Sequence, residues 1–421
     1  MHFLMAAIGS AGDVFPFIAV GQALARRGHR VDVQASPWFE DTIRAAGLGF
    51  VAAGSAGDYE RLAAQPELWH PRRGFELLLD QLGAGLLATR SAALAHCSPQ
   101  TVLVGSTLAW HLRLLQEQQG FRAVTVHLSP SCIFSAEAPA VLPGQIDLAW
   151  LPARGVRWVQ RLGERWVLDP MIAARLDPIR TALGLPPVRE VMSGWQHAPA
   201  LVIAAWPAWF APAQADWPAQ AVTTGFPQWD RSAAAPLPAA LERFLQAGPA
   251  PIGITPGSAM AHGRRFFAAA AAACSALGQR MVLITPYADQ LPSPLPTGAF
   301  HIARVPFEQL VPRLAALAHH GGIGTCAQAF AAGVPQVISP FAHDQFDNAA
   351  RVQRLGAGRS LRPAAGASAW KKALGAVTTD PLIAMQCRSI ATRMAAAGNG
   401  AAHIADRLEA FACAKSASTG R

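Results

Sequence analysis

The sequence predicts an α/β protein of two doubly wound, parallel-sheet domains facing each other across a cleft. Three observations carry that expectation. Short apolar runs alternate with helix-length patterns in both halves of the chain. A stretch dense in Pro and Trp with little periodicity, 206–236 (WPAWFAPAQADWPAQAVTTGFPQWDRSAAAP), interrupts the alternation. The length, 421 residues, is too great for one ordinary core and suits two domains of roughly 200 residues each. The expected division is a first domain over 1–215, a linker over 216–236, a second domain over 237–380 and terminal helices over 381–421.

Element by element, Phe3–Ile8 reads as the first strand, an apolar run ending in small residues. A helix through Phe17–Arg27 follows, with Pro16 suited to its first turn and Gly28 ending it. Arg30–Ala35 is the next strand and Trp38–Ala46, before Gly47, the next helix; Thr101–Gly105 and Ala123–Leu128 are further β-rich runs. Past the linker, Pro251–Thr255, Arg280–Thr285, His301–Val305, Leu314–His319 and Pro335–Ser339 read as strands. Helices are expected through Arg265–Leu277 and in the stretch ending at Ala332, before Gly333. In such a fold the ligand lies outside the carboxyl ends of the strands, here between the two domains.

Composition narrows the function classes. Hydrophobic residues make up 52% and charged residues 14%, which excludes wholesale disorder. No apolar run reaches the ~18–20 residues that cross a bilayer, and the Ala-rich stretch Phe266–Leu277 reads as a buried helix. The start, MHFLMAAIG, lacks a basic leader and reads as a strand, so the expected location is the cytoplasm, with peripheral contact at the inner membrane open. The net charge of +9 comes from Arg scattered without a basic stripe, which argues against a nucleic-acid partner. Six cysteines show no C-x-x-C pair and read as reduced thiols.

The strongest local signal is His319-His320-Gly321-Gly322-Ile323-Gly324-Thr325, between an apolar strand and a helix. Glycines let backbone approach a ligand, and their N–H groups at a helix start form an anion site; His320 can donate to a phosphate oxygen and Thr325 adds a hydroxyl. A Gly-rich turn needed only for packing is the plainer alternative. The glycines after the first strand, Gly9-Ser10-Ala11-Gly12, lack dinucleotide spacing, and no G-K-[ST] occurs. Thr255-Pro256-Gly257-Ser258 is a second small-residue turn with a possible phosphate donor. One strand beyond the Gly loop, His343-Asp344-Gln345-Phe346-Asp347-Asn348 sets carboxylates beside carboxamides, a pairing that suits sugar hydroxyls; taken alone Asp344 reads as a cap of the following helix, and its place after the Gly loop favours the sugar. Asp13, at the carboxyl end of the first strand, suits either a general base on an acceptor hydroxyl or a helix cap. Nothing in the pattern requires a metal or a cofactor. Of the twelve Trp, most are expected in core or linker packing and some in an apolar acceptor groove.

With these residues the chain resembles the inverting glycosyltransferases with two Rossmann-like domains (GT-B type), including glycopeptide and sterol glycosyltransferases. The shared marks are GSAGDVFPF, HHGGIGT and AAGVPQVISPFAHDQFDNA. Within that group it is most similar to the rhamnosyltransferases of rhamnolipid synthesis, through AIGSAGDVFPFI, LWHPRRGFELL, PAWFAPAQADWP, TGFPQWD and AHDQFDNAARVQRLGAG, over residues 1 to about 360. The resemblance implies a nucleoside diphosphate sugar, dTDP-rhamnose, bound by the second domain. His320, Gly322, Gly324 and Thr325 would hold the diphosphate with Ser258 beside it, Asp344 and Gln345 the sugar, and Arg304 and Val305 the base. Asp13 matches the base of the bacterial members. The implied acceptor is a hydroxyalkanoyloxy-alkanoate lipid, an apolar hydroxylated partner, and an acceptor-synthesising enzyme is a possible second partner. The terminal helical stretch resembles a segment crossing back onto the first domain. Two other readings stay open: glucosyl transfer to a sterol, polyketide or other lipid alcohol, and a non-catalytic nucleotide-binding protein.

Overall fold

The structure, a computed structural model, describes residues 1–70, 73–229 and 236–414. Residues 230–235 of the expected linker, Pro71-Arg72 of the LWHPRRGFELL stretch and the residues past 414 lie outside the described residues. Two parallel sheets organise the rest. The first contains β1 (His2–Ala6), β2 (Arg30–Ala35), β3 (Gly49–Ala52), β4 (Val102–Ser106), β5 (Arg122–His127), β6 (Val202–Ala204) and β7 (Ala221–Thr223), in the order β3-β2-β1-β4-β5-β6-β7. The second contains β8 (Ile252–Thr255), β9 (Met281–Ile284), β10 (Ala299–Ile302), β11 (Ala316–His319), β12 (Gln336–Ile338) and β13 (Gly358–Ser360), in the order β10-β9-β8-β11-β12-β13. Both orders reverse direction once, between β1 and β4 and between β8 and β11. Each reversal leaves a crevice at the strands' carboxyl ends, where ligands of such sheets sit. Met5 is in register with Val104 at the first reversal and Ile254 with Ala318 at the second. The strands are apolar on both faces because helices cover both sides, as in β4, where every residue is buried.

Against the sequence reading, β10 runs Ala299–Ile302 where His301–Val305 was expected and β3 stands where no strand was expected; two further departures have a plain cause. The first helix runs Ala11–Ala25 and so begins five residues before Pro16, which lies inside it. Ser10 and Asp13 explain the early start: Ser10 accepts from the Gly12 N–H, and the Asp13 carboxylate accepts from the Ser10 N–H, together closing the first turn. The second detail is β7, the edge strand of the first sheet, inside the segment expected as linker. With three residues it is too short to show any alternation.

The last two helices tie the two sheets together. Helix Pro381–Ala397 buries Ile383, Cys387 and Ile390 in the core of the second sheet. Helix Gly400–Cys413 lays Ala401, Ile404, Ala405 and Leu408 into the core of the first. There Arg27 pairs with Asp406 at 2.7 Å, and His29 Nε2 meets Glu409 at 2.6 Å. At the crossover Gly400 passes so close to Gly225 that a Cβ on Gly400 would stand 2.3 Å from the Gly225 carbonyl. A second joint is aromatic: Trp209, Phe210 and Phe226 from the Pro- and Trp-rich stretch surround Phe330 of the second domain, with ring centroids 5.4–6.3 Å from it.

Candidate active site

The loops that follow β1, β4 and β5 face those that follow β8, β11 and β12. On the first-domain lip, Asp13 is held by the Ser10 N–H at 2.8 Å and the Ser10 hydroxyl at 3.2 Å. Its carboxylate is nonetheless desolvated, and burial outweighs those bonds, pushing its pKa up from 3.8 to about 6. Capping and a place in the cleft therefore coexist in one residue.

Opposite lies Asp344. It stands at the cap position of helix Gln345–Arg354, yet its side chain makes no cap bond. It accepts instead from Asn348 Nδ2 at 2.8 Å. Burial pushes its pKa up to about 6 as well, and the nearby charge of Asp13 contributes to the rise. Cys132, on the loop after β5, feels both carboxylates and is pushed up to about 12 chiefly by burial. Asp13, Asp344 and Cys132 thus share one site drawn from both domains.

Asn348 organises the second-domain lip. Its amide also donates to the Gly321 carbonyl at 2.9 Å, and its Oδ1 accepts from the Ser129 hydroxyl of the first domain at 3.3 Å. Next to it, buried Asp347 accepts from Arg351 Nε at 2.7 Å and from the Val141 N–H, another first-domain group, at 3.2 Å. Of the sugar-binding candidates, Gln345 uses its carboxamide oxygen within the loop, accepting from the N–H groups of Phe341 (2.8 Å) and Ala342 (3.1 Å). Its Nε2 donors remain for other partners.

The Gly loop turns between β11 and helix Ile323–Ala332. His319 shapes it from within: Nε2 donates to Gln336 Oε1 at 3.0 Å and Nδ1 accepts the Gly321 N–H at 3.1 Å. His320 lies between two glycines, since a Cβ on Gly257 would meet its ring at 2.8 Å and one on Gly322 at 2.6 Å. Burial lowers its pKa to about 4, so the imidazole is neutral, and its buried Nδ1 has no protein partner. Gly322 occupies the helix cap without a side chain to satisfy the first N–H groups, and Thr325 follows in the first turn. A Cβ on Gly324 would meet nothing within 4 Å, so open space lies over this helix start. Open N–H groups, a helix dipole and a neutral donor imidazole suit an anion.

The remaining candidates lie at the rim. Ser258 is exposed, beside Gly257 with φ +99°. Arg304 is exposed after β10 and acts electrostatically on Tyr59 of the first domain. Val305, partly buried, packs against the cluster around Leu310 and Val311. Sequence reasoning passed over Ser129, Cys132 and Tyr59. Tyr59 is pushed up to about 12 by burial first and then by Asp13 and Tyr287, so both tyrosines of the chain lie near the cleft. Nothing in their local sequence singles them out.

Comparison with known proteins identifies the family. Residues 3–82 match the glycosyltransferase family 28 N-terminal domain, and residues 273–411 match the erythromycin biosynthesis protein CIII-like C-terminal domain. The sequence is 30% identical to O-mycaminosyltylonolide 6-deoxyallosyltransferase of Streptomyces fradiae, over 94% of each chain. This chain therefore belongs to the GT-B glycosyltransferases. The glycosyltransferase is also 30% identical to the vancomycin aglycone glucosyltransferase of Amycolatopsis orientalis, over 85% of each chain. Solved structures share its fold: the kitacinnamycin glycotransferase superposes with a TM-score of 0.74 at 21% identity, covering 97% of this chain and 98% of that one. The spinosyn rhamnosyltransferase superposes with 0.66 at 19%, covering 97% and 100%. The enzyme uses a nucleotide-sugar donor.

In such a complex the lone His320 donor would be matched to an anion. We expect His320→Ala to weaken binding of the free nucleoside diphosphate by about 10-fold or more, the value of one hydrogen bond to a charged group. Titration calorimetry checks this, and unchanged affinity would remove His320 from the site.

Proposed function

We propose that the enzyme transfers L-rhamnose from dTDP-L-rhamnose, with inversion, to the hydroxyl of a 3-(3-hydroxyalkanoyloxy)alkanoate, giving a monorhamnolipid. The observation that supports the chemistry best is the pair of desolvated carboxylates, Asp13 and Asp344, on opposite lips of the cleft beside an open helix start. In this reading Asp13 removes the acceptor proton as the hydroxyl oxygen attacks the anomeric carbon. The bond from that carbon to the phosphate oxygen breaks, and the electron pair leaves with the nucleoside diphosphate. The N–H groups at Gly322–Thr325, His320 and Ser258 meet the charge that grows on the leaving group. Asp344 and Gln345 hold sugar hydroxyls, and Arg304 with Val305 holds the base. Contacts between the domains exclude water and limit hydrolysis of the donor.

Support for the donor comes from the motif likeness to the rhamnolipid rhamnosyltransferases and from the solved spinosyn rhamnosyltransferase, which has been seen with thymidine diphosphate. The lipid acceptor rests on the same motif likeness. Peripheral contact with a membrane, and with the enzyme that makes the acceptor, belongs to this reading. Among the described residues, no helix is long and apolar enough to cross a membrane. A second reading, glycosylation of a polyketide or another alcohol, is favoured by relatives named for a macrolide precursor and for vancomycin.

Purified enzyme incubated with a panel of dTDP- and UDP-sugars and either hydroxyalkanoyloxy-alkanoate or a polyketide alcohol, read by mass spectrometry, tests the proposal. A rhamnose increment from dTDP-rhamnose alone is expected. Transfer from a different donor, or only to a polyketide alcohol, would overturn the rhamnolipid assignment.

A further inference from the structure

One surface is out of keeping with the rest of the molecule. Between β5 and β6, Trp150, Trp158 and Trp166 are 78%, 65% and 68% exposed, and Ile146 and Val167 are exposed beside them in sequence. Tryptophan is rarely so bare on a surface, and three in seventeen residues do not read as scattered apolar side chains. The segment is helical from Ala153 to Gly163 and continues through Glu164–Leu168. Along it Arg154, Trp158, Arg161 and Arg165 follow one another at intervals of four, three and four residues, and so form one stripe. Arg157 lies next to that stripe and pairs with Glu137 at 3.6 Å. Of the two carboxylates between 146 and 167, Asp147 is exposed before the helix and accepts from the Ala149 N–H at 2.9 Å, while Glu164 is buried and accepts from the N–H groups of Met192 (2.9 Å) and Ser193 (2.8 Å); neither is in an ion pair with the arginines of the stripe.

From this surface we infer that the segment 146–167 docks on an anionic lipid surface. Indole rings, apolar in body with one N–H at the edge, settle at the level of lipid headgroups, and guanidinium groups pair with the phosphates around them. Charge chooses this occupant over a second copy of the protein: an identical face would set the three arginines of the stripe, none of them in an ion pair among the described residues, against one exposed carboxylate outside an ion pair, Asp147, because Glu137 is already taken by Arg157.

The position of the surface gives it a use. Gln160, on the helix, donates to the Ser135 carbonyl at 2.9 Å. Ser135 follows Ser129, the residue bonded to Asn348 in the active site, by six residues, a stretch that reaches at most ~20 Å. A protein docked through this stripe holds the acceptor side of its cleft close to the bilayer, where an amphiphilic acceptor would be dissolved. Docking itself does not depend on what the acceptor is.

The test is co-sedimentation of the full-length protein with vesicles of equal parts phosphatidylglycerol and phosphatidylcholine, against phosphatidylcholine alone. The expected result is binding that needs phosphatidylglycerol and weakens as salt rises. The triple variant Arg154→Gln, Arg161→Gln, Arg165→Gln should bind on the order of 100-fold more weakly. Trp158→Ala with Trp166→Ala should also lose binding, together with the quenching of tryptophan fluorescence by brominated lipid. Nucleoside diphosphate affinity should be unchanged in every variant, which shows that each is folded. No binding by the unaltered protein, or equal binding by the variants, would overturn the inference. So would self-association, seen by sedimentation velocity, that the tryptophan variant abolishes without any vesicle binding. No sugar donor or acceptor enters the vesicle measurement, so its failure would leave the proposed reaction untouched, and the reverse also holds.

Discussion

Asp13→Asn is expected to lower kcat by about 10²- to 10⁴-fold, the range a positioned general base supplies, while leaving nucleoside diphosphate affinity unchanged. Asparagine keeps the oxygen that accepts the Ser10 N–H, so the first turn of helix Ala11–Ala25 stays closed. What it loses is the ability to take a proton. The pH profile separates this from a structural effect. With Asp13 held near pKa 6, kcat/KM of the unaltered enzyme should fall with acid through about pH 6, as the carboxylate becomes protonated. The residual activity of Asp13→Asn should lack that part of the fall. Near-normal turnover in the variant would sink the base assignment.

The same two carboxylates carry a stability signature with a defined sign. Asp13 and Asp344 both rise from 3.8 to about 6, so the folded state holds their protons more tightly than the unfolded state does. Below about pH 4 both states are protonated and the groups cost nothing. As pH rises through 4 to 6 the folded state must ionise two desolvated acids, and stability falls by at most about 3 kcal/mol for each. Exchanging both for asparagine should therefore raise Tm at pH 8 and leave it nearly unchanged at pH 4. An equal effect at both values would mean that the carboxylates are solvated and the cleft open. A rise at pH 8 alone would mean that the enzyme retains a destabilising pair at its reactive site, as reactive sites commonly do.

Much of this was legible in the sequence, for reasons that differ by element. The strands of the first and second sheets that run four residues or more lie in apolar runs bounded by Gly or Pro, and most announced themselves. Gly49–Ala52 did not, and β6, β7 and β13, at three residues each, are too short to show a period and are made strands by their neighbours. Pro16 misled because proline is common at a helix start; here Ser10 and Asp13 set the start earlier, and the proline is accommodated within. The Gly loop and the Asp344 cluster were readable because their residue types are costly to place without cause. At Asp344 only its place after the Gly loop favoured a ligand over a cap; the residue itself does not decide. The choice turns on where one side chain points, and that is decided by Asn348 and by a first-domain hydroxyl on Ser129, 215 residues earlier in the sequence. Ser129, Cys132 and Tyr59 stayed invisible for the same reason: each is ordinary locally and acquires meaning from a contact or a charge far away in the sequence.

Gly321→Ala and Gly324→Ala, two changes of one methyl group three residues apart, are expected to fail in different ways. Gly321 has φ +98°, donates to His319, accepts from Asn348, and leaves no room on its remaining side. A Cβ there would stand 2.8 Å from Ile338 Cγ2 and 3.0 Å from the Gln345 carbonyl oxygen, which is backbone and cannot turn away. Strain at positive φ and the steric conflict together should cost about 2–4 kcal/mol, seen as a lower Tm. Because the loop must shift, His320 and Asn348 move with it, and nucleoside diphosphate affinity should fall by more than about 30-fold, or about 2 kcal/mol. At Gly324 the added methyl meets no protein atom, and alanine is the better helix former, so Tm should hold or rise slightly. Any loss of affinity in Gly324→Ala then reports on the ligand alone, because only a bound phosphate would occupy the space the methyl enters. If Gly324→Ala binds nucleotide as well as the unaltered enzyme does, the open space over the start of helix Ile323–Ala332 is not where the diphosphate sits. If Gly321→Ala keeps both its Tm and its affinity, the packing described for the loop is wrong at its tightest point.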